Sequence, residues 1–256
     1  MTVLQALVLG IVQGLTEFLP VSSSGHLLLL EKLGVGTPDL FFNICLHLGT
    51  LLSVLVCMRR DIAALFGKDG RKTLFLIFFA CLPTGVIALL FETFAPGLAR
   101  GAALPFGFMA TTVLLVVSHF LAPSSRPLDT RSALAAGAVQ GIAVLPGLSR
   151  SGATVAALRL AGVEKTEAAR FSFLLSVPVI VASALYEGVS LASAGTPPAA
   201  DPLAVAVGVT AAFFSGTVAV RFFLTLFERR SLIPFAVYTA MLSAFSFLLY
   251  YTPLFA

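Results

Sequence analysis

Between Gln13 and His26 the chain carries a carboxylate, three serine hydroxyls and an imidazole within an otherwise apolar segment. Gln13 and Glu17 are four residues apart, so on a helix their side chains share one face. These residue types fit acid–base and nucleophilic chemistry: Glu17 as base or metal ligand, His26 as acid, base or nucleophile, and Ser23 as the attacking hydroxyl. An ionisable group inside a bilayer costs about 2.5–3.5 kcal/mol, so such a group indicates a functional site.

The same stretch predicts a break between two helices. Pro20 cannot continue a helix and favours an extended Leu19, so a second helix should begin near the serines, any of which could cap it. A new helix N-terminus presents free N–H groups and a positive dipole end, which bind anions. We therefore expect substrate contacts from Gln13, Ser22, Ser24 and Gly25. The alternative is a kinked membrane helix whose serines only satisfy freed backbone groups.

A second polar stretch, residues 146–154, places one arginine among hydroxyls where another helix should begin. The Arg150 guanidinium stays charged when buried and offers a two-pronged fork for phosphate or carboxylate. An anion site beside a nucleophile indicates phosphoryl transfer, with Arg150 as a catalytic clamp. The alternative is that Arg150 only forms a structural bridge with Glu17, although buried pairs seldom add stability over apolar packing. The further substrate contacts expected here are Ser149, Ser151, Gly152 and Thr154.

The composition identifies an integral membrane protein. Of the 256 residues, 58% are hydrophobic and 11% are charged, and the mean hydropathy is +1.01, whereas soluble domains average about 25% charged residues. No linker, low-complexity run or charged tail divides the chain, so one domain is expected over residues 1–256. The net charge of +4 reports loop orientation rather than a nucleic-acid partner, and no nucleic acid is expected.

Six apolar runs are long enough to cross a bilayer. They are residues 41–58, 73–94, 104–122, 169–190, 203–220 and 232–251. Two further apolar segments, 3–33 and 133–160, are interrupted by Pro, Gly and Ser, which is typical of re-entrant helix–loop–helix hairpins. The sequence therefore predicts an all-α polytopic membrane protein with six transmembrane helices and two re-entrant hairpins.

The two interrupted segments resemble each other. Residues 6–14 align with 133–141, and the Leu-Pro pairs and serine–glycine blocks that follow occur in the same order. Such ordered matches indicate an internal repeat, with repeat 1 at about 1–125 and repeat 2 at about 126–256. Each repeat has one hairpin and three spans, and because three is odd the second repeat must be inverted. Matching broken segments in inverted halves point to a binding site near the midplane.

The basic residues predict the orientation. When the chain is threaded in this way, almost all Lys and Arg side chains fall on one face, and only Lys32 and Arg100 fall on the other. By the positive-inside rule the basic face is cytoplasmic, so both termini should be periplasmic. The first hairpin should enter from outside and the second from the cytoplasm, with their tips meeting inside the membrane.

Residues 13–26 and 146–154 resemble the two signature motifs of the bacterial undecaprenyl-diphosphate phosphatase family, which is linked with bacitracin resistance. Residues 59–62 and 171–178 are also similar, so the resemblance covers nearly the whole chain. It implies an inner-membrane enzyme that removes the terminal phosphate of a C55 polyprenyl diphosphate, recycling the lipid carrier of peptidoglycan synthesis at a site reached from the periplasm. The functional positions that it implies are Glu17, Ser23, His26, Ser149, Arg150 and Thr154.

The resemblance also implies a divalent cation, Mg²⁺ or Ca²⁺, and often a homodimer. Many members carry Glu where this chain has Gln13, so Glu17 alone remains as a protein ligand to the metal. A metal held mainly by diphosphate oxygens and water is compatible with this difference.

Other functions fit parts of the pattern. A secondary transporter or flippase for an anionic polyprenyl lipid would also use inverted repeats with broken helices, but transport needs no nucleophile. Residues 24–26 resemble the Ser-Gly-His element of the broad lipid-phosphatase superfamily, but the histidine that should follow Ser149 and Arg150 is missing. Residues 147–151 do not match the G-x-S-x-G elbow of serine hydrolases, which disfavours an intramembrane protease.

The remaining histidines and the cysteines have simpler interpretations. His47 and His119 each stand alone in a span, without a second metal-binding residue at helical spacing, and are expected to be packed core histidines. Cys45, Cys57 and Cys81 lie in apolar runs without the spacing of a metal or disulfide motif, and are expected to fill space.

Overall fold

The computed structural model describes residues 1–37, 39–68, 70–99, 101–122, 126–195, 200–229 and 231–251. Across these ranges the chain is helical, and its only β contact is an isolated bridge between Arg126 and Val163. The all-α prediction is confirmed. The helices are α1 Val3–Phe18, α2 Ser23–Lys32, α3 Leu40–Cys57, α4 Arg59–Leu65, α5 Arg71–Phe94, α6 Leu104–Leu121, α7 Thr130–Ile142, α8 Arg150–Leu160, α9 Lys165–Ala194, α10 Pro202–Arg229 and α11 Ile233–Tyr251.

Six of these helices, α3, α5, α6, α9, α10 and α11, are long and apolar enough to cross a membrane, and they correspond to the six predicted runs. Both α9 and α10 extend beyond the apolar runs. An apolar run measures the hydrocarbon core, whereas a helix can continue into water until its backbone groups are capped. At the start of α9, the Glu164 side chain accepts hydrogen bonds from the N–H groups of Thr166 and Glu167. The short helix α4 was not predicted, because it has no apolar run.

The first interrupted segment forms the hairpin α1–α2. Leu19 is extended, with φ −72° and ψ 147°, directly before Pro20. The Ser22 hydroxyl then caps α2 by accepting a hydrogen bond from the Gly25 N–H. The predicted break and the predicted serine cap are both present.

The second interrupted segment forms the hairpin α7–α8 in the same way. Helix α7 ends at Ile142, the chain passes through Pro146, and α8 begins at Arg150. The Ser149 hydroxyl caps α8 by accepting a hydrogen bond of 3.1 Å from the Gly152 N–H. Each hairpin is followed by three long helices, which is the predicted element order.

The two halves pack reciprocally. The first helix of each hairpin lies along a long helix from the other half of the chain: α1 lies along α10, and α7 lies along α5. Helix α3 also contacts α9, and α6 contacts α11. Glycines permit the close approach: a Cβ on Gly10 would lie 3.0 Å from the Ala211 Cβ, and one on Gly137 would lie 2.7 Å from the Ala80 carbonyl carbon. Small residues at such spacings let membrane helices pack backbone to backbone.

One pair of contacts breaks this reciprocity. Helix α10 packs extensively against α3, whereas the corresponding helices α5 and α9 contact each other sparsely. The space left between α5 and α9 is a large cavity that reaches the hairpin tips. The cysteines Cys45, Cys57 and Cys81 are free, in agreement with their interpretation as apolar filler.

Candidate active site

The cavity between α5 and α9 has a volume of about 1480 Å³ and two different parts. One part is apolar and is lined by α5 and α9, extending to Glu92 and Glu187 near the ends of these helices. There the Tyr186 hydroxyl donates a 2.9 Å hydrogen bond to Glu92, which joins α9 to α5. The other part is polar and is lined by the hairpin tips and by α3. Its polar side chains include Glu17, Ser22, Ser23, Ser24, His47, Ser149 and Arg150, and the polar side chains of Thr84 and Gln140 also line the cavity.

Glu17 and Arg150 form an ion pair that joins the two tips. The Glu17 side chain is 1% exposed, and its Oε1 accepts a hydrogen bond from Arg150 Nη2. Its Oε2 accepts from the Ser23 hydroxyl at 2.5 Å and from Gln13 Nε2 at 2.9 Å. The predicted meeting of a guanidinium from one hairpin with a carboxylate from the other is therefore present. The pair also fits the alternative interpretation as a structural bridge, and the turnover of Arg150→Ala distinguishes the two interpretations.

The second tip is held in place by hydrogen bonds to its neighbours. The Thr111 hydroxyl accepts from the Ser149 N–H and donates to the Gly147 carbonyl, both at 2.8 Å. The Ser151 hydroxyl donates to the Leu19 carbonyl of the first tip at 3.0 Å. Thr154 shares a 2.5 Å hydrogen bond with Ser172 of α9. Such buried and fully paired groups fix the position of Arg150.

The structure divides the predicted site residues into two groups. Those that line the cavity are Glu17, Ser22, Ser23, Ser24, Ser149 and Arg150. Those that do not line it are Gln13, Gly25, His26, Ser151, Gly152 and Thr154. Direct substrate contact by this second group is not supported by the geometry, because its members pack behind the tips and support the first group. Gly25, for example, lies where a Cβ would be 2.6 Å from the Phe108 ring.

His26 faces away from the cavity, contrary to its predicted catalytic position. Its Nδ1 lies 2.7 Å from the Ser22 carbonyl and its Nε2 lies 2.8 Å from the Tyr238 hydroxyl. A carbonyl only accepts, so Nδ1 donates and Nε2 accepts from Tyr238. The ring also stacks on Tyr238 and meets Phe108 edge to face. Both nitrogens are therefore occupied, and His26 anchors α2 against α6 and α11.

His47 was missed. The sequence predicted a packed core histidine, but the ring lines the polar part of the cavity, with Nδ1 2.9 Å from Gln13 Nε2 and 3.6 Å from Glu17 Oε2. The rule that ionisable groups within membrane spans mark functional sites would have identified it. The same prediction was wrong for His119 for a different reason, because that side chain is exposed, 3.5 Å from the Ser231 hydroxyl.

Comparison with known proteins bears directly on this arrangement. The family model for the bacitracin resistance protein BacA matches residues 6–245. The chain belongs to the BacA family. Similar BacA-type proteins named undecaprenyl-diphosphatase include one from Christiangramia forsetii, 40% identical over 254 residues, and one from Halothermothrix orenii, 38% identical over 245 residues; each match covers 93% of this chain and 94% of the relative. A third, from Teredinibacter turnerae, is 34% identical over 270 residues, covering 97% of this chain and 99% of the relative.

The described residues of this BacA family member do not form a set of protein ligands for the predicted divalent cation. No group of three or more His, Cys, Asp or Glu residues lies together within these residues. Glu17, the one candidate ligand, already accepts hydrogen bonds on both carboxylate oxygens. The Mg²⁺ or Ca²⁺ requirement therefore stays a prediction that rests on the family resemblance.

Proposed function

We propose that this multi-pass membrane protein hydrolyses undecaprenyl diphosphate to undecaprenyl phosphate and inorganic phosphate. It is a hydrolase that recycles the lipid carrier of peptidoglycan synthesis and confers bacitracin resistance, as its family membership implies. The observation that carries the proposal is that Glu17 accepts hydrogen bonds from both Arg150 and Ser23 at the inner end of a large cavity. An arginine, a hydroxyl and a carboxylate held together are the groups that phosphate binding, nucleophilic attack and base catalysis require.

The cavity matches the two chemical parts of such a substrate. Its apolar part, between α5 and α9, is lined by side chains such as Phe75, Phe78 and Leu89 and suits the polyprenyl chain. Its polar part lies at the tips, where Arg150 is 22% exposed and can turn toward a diphosphate. The N-termini of α2 and α8 add N–H groups for the phosphate oxygens.

The geometry favours Ser23 as the nucleophile. Its hydroxyl already donates to Glu17, so a proton can pass to the carboxylate while Ser23 Oγ bonds to the terminal phosphorus. The bond from that phosphorus to the bridging oxygen then breaks, and polyprenyl phosphate leaves as an anion. Water next hydrolyses the phosphoserine, which releases phosphate and restores the serine hydroxyl. Arg150 holds the phosphate oxygens throughout and stabilises their charge.

Orientation and assembly belong to the same proposal. We infer that the cavity opens to the periplasm, because it extends toward Glu92 and Glu187, far along α5 and α9 from the basic starts of these helices at Arg71 and Lys165. Both termini would then be periplasmic. A homodimer is proposed on the family resemblance alone.

The test is phosphate release from polyprenyl diphosphate by the purified protein in detergent. Arg150→Ala and Ser23→Ala should each lower kcat/KM by about 10²-fold or more, the size expected for one electrostatic or nucleophilic group. Arg131→Ala is the matched control, because Arg131 is exposed at the start of α7 and should leave turnover unchanged.

Two results would contradict the proposal. Wild-type turnover in Arg150→Ala would show that Arg150 does not hold the phosphate during the reaction. Exchange of labelled lipid between vesicle leaflets without phosphate release would instead favour the transporter or flippase. Phosphoserine trapped at residue 23 by acid quenching, and detected by mass spectrometry, would identify the nucleophile.

A further inference from the structure

His47 belongs to neither tip, yet its ring reaches the polar part of the cavity. It lies on α3, one helical turn after Ile44, which lines the same cavity. The His47 side chain is 31% exposed, whereas the Glu17 side chain beside it is 1% exposed. Ionisable side chains within membrane spans are rare, so His47 is a candidate for a functional role.

The hydrogen-bond network fixes which ring nitrogen of His47 carries the proton. Gln13 Nε2 lies 2.9 Å from both Glu17 Oε2 and His47 Nδ1. A carboxylate only accepts, so the amide must present its NH₂ group to Glu17, and its second N–H then points to Nδ1. Because Nδ1 accepts, the neutral ring carries its proton on Nε2.

This leaves a hydrogen-bond donor facing the cavity. Among the residues that the structure describes, His47 Nε2 has no hydrogen-bond partner, while Nδ1 is held by Gln13. The same wall carries Arg150 and the serine hydroxyls, which are donors to oxygen anions, and the carboxylate of Glu17 is paired with Arg150. A phosphate oxygen is the ligand that suits an N–H beside them.

The matching glutamine of the second hairpin has a different partner. Gln140 corresponds to Gln13, and its Nε2 donates to the Thr84 hydroxyl at 3.1 Å, which joins α7 to α5. A hydroxyl therefore suffices to hold such a glutamine. In the first hairpin the partner is the imidazole of His47 on α3, whose ring also lines the cavity.

We infer that His47 is a further catalytic residue, whose Nε2–H donates a hydrogen bond to a diphosphate oxygen of the substrate. Gln13 is its positioning residue and selects the tautomer. The inference rests on the proposed function. Polyprenyl phosphate needs no proton to leave, because a phosphate monoester is stable as an anion, with a second pKa of about 6. A neutral donor that stabilises charge is therefore sufficient.

Kinetics provide the first test. His47→Ala should lower kcat/KM for polyprenyl diphosphate by about 10- to 100-fold, the range for a hydrogen bond to a charged group. His47→Gln keeps an amide N–H and should stay within about fivefold of wild type. His119→Ala is the control, because His119 is exposed and remote from the cavity lining. Thermal midpoints in detergent should change little for all three variants.

Nitrogen-15 NMR of histidine-labelled protein provides the second test. The chain has three histidines, so each resonance can be assigned from a single substitution. His47 should show the Nε2–H tautomer, and its Nε2 signal should shift when a non-hydrolysable polyprenyl methylenediphosphonate binds. The His119 signals should not shift. Gln13→Leu should remove the tautomer preference of His47.

The outcomes separate this inference from the proposed function. An Nδ1–H tautomer, or wild-type kcat/KM in a folded His47→Ala, would overturn the role of His47 while Arg150→Ala still abolished turnover. If the wild type released no phosphate at all, the proposed hydrolysis would fail. In that case the shift of the Nε2 signal on binding the analogue would still decide whether His47 contacts a diphosphate.

Discussion

The two hairpins share a scaffold and differ in chemistry. In both, a glutamine lies nine residues before the serine that caps the second helix, Gln13 before Ser22 and Gln140 before Ser149. The side chains that follow differ: Glu17 corresponds to Val144, and Ser23 corresponds to Arg150. Because the tips meet, two identical acidic or basic tips would repel each other. The difference at these positions gives the meeting point of the tips a carboxylate from one hairpin and a guanidinium from the other.

The backbones of the two caps differ as well. Ser22 has a φ of +69°, in the left-handed region that disfavours residues other than glycine, whereas Ser149 has a φ of −71°. In the second tip the positive φ falls on Gly147 instead. Strained non-glycine residues occur where the surrounding structure holds them, often at functional sites. The strained cap lies next to the proposed nucleophile Ser23, in the reactive hairpin.

The largest expected effect comes from removing one partner of the ion pair between the hairpins and leaving the other in place. Glu17→Ala leaves the Arg150 charge buried without its partner and should lower the free energy of unfolding by about 3–5 kcal/mol. Replacing both residues by Met removes both charges and should restore most of that stability without restoring turnover. Denaturant unfolding in detergent, together with phosphate release, measures both quantities.

The exposed pair of Asp61 and Arg170, 3.7 Å apart, is the matched control for this experiment. Asp61→Ala should cost less than about 1 kcal/mol, because exposed pairs contribute little. Recovery of turnover in the double Met variant would show that the pair of Glu17 and Arg150 is a structural bridge only.

A smaller effect should show whether the two hairpins are equally well packed. Gly10→Ala would press a Cβ against α10, and Gly137→Ala would press one against α5. Overpacking of this kind typically costs about 1–3 kcal/mol, so both variants should lower the unfolding midpoint in detergent. Gly188→Ala is the control, because no atom lies within 4 Å of a Cβ there. A lowered unfolding midpoint in only one of the two variants would contradict equal packing of α1 and α7.

The sequence could predict the parts of this site that depend on local rules. Pro20 and Pro146 mark the two breaks, and Ser22 and Ser149 cap the helices that follow. Counting spans placed the tips on opposite sides, which predicted the contact of Glu17 with its arginine. These features follow from helix chemistry and from the odd number of spans in each repeat.

The parts that depend on rotation and on distant packing could not be predicted. The positive φ of Ser22 sets the direction in which α2 leaves the loop, and this turns His26 toward Tyr238 instead of the cavity. The contact of His47 with Gln13 comes from another helix, so no spacing within a motif reveals that contact, although an ionisable side chain within a span marks His47 itself as a candidate. The division into repeats at about residue 125 and the single domain over 1–256 stay predictions.

The smallest expected effect distinguishes the starts of the two hairpins. Thr2 caps α1, and Asp129 caps α7 by accepting 2.8 Å hydrogen bonds from the Ser132 N–H and hydroxyl. These bonds hold the pKa of Asp129 below its ordinary value of 3.8. A carboxylate with a lowered pKa contributes stability that is present above its ordinary pKa and is lost as the pH falls through the folded-state value.

Replacing either capping residue by alanine should therefore lower the free energy of unfolding by about 1 kcal/mol at pH 7. Only the loss in Asp129→Ala should depend on pH. Thr2→Ala should destabilise equally at pH 7 and pH 3, because the threonine hydroxyl does not titrate. Asp129→Ala should destabilise at pH 7 and have a smaller effect at pH 3. Asp129→Asn keeps an uncharged cap, so its unfolding midpoint should fall less than that of wild type between these pH values. An identical fall in both proteins would show that the carboxylate charge adds nothing to the cap.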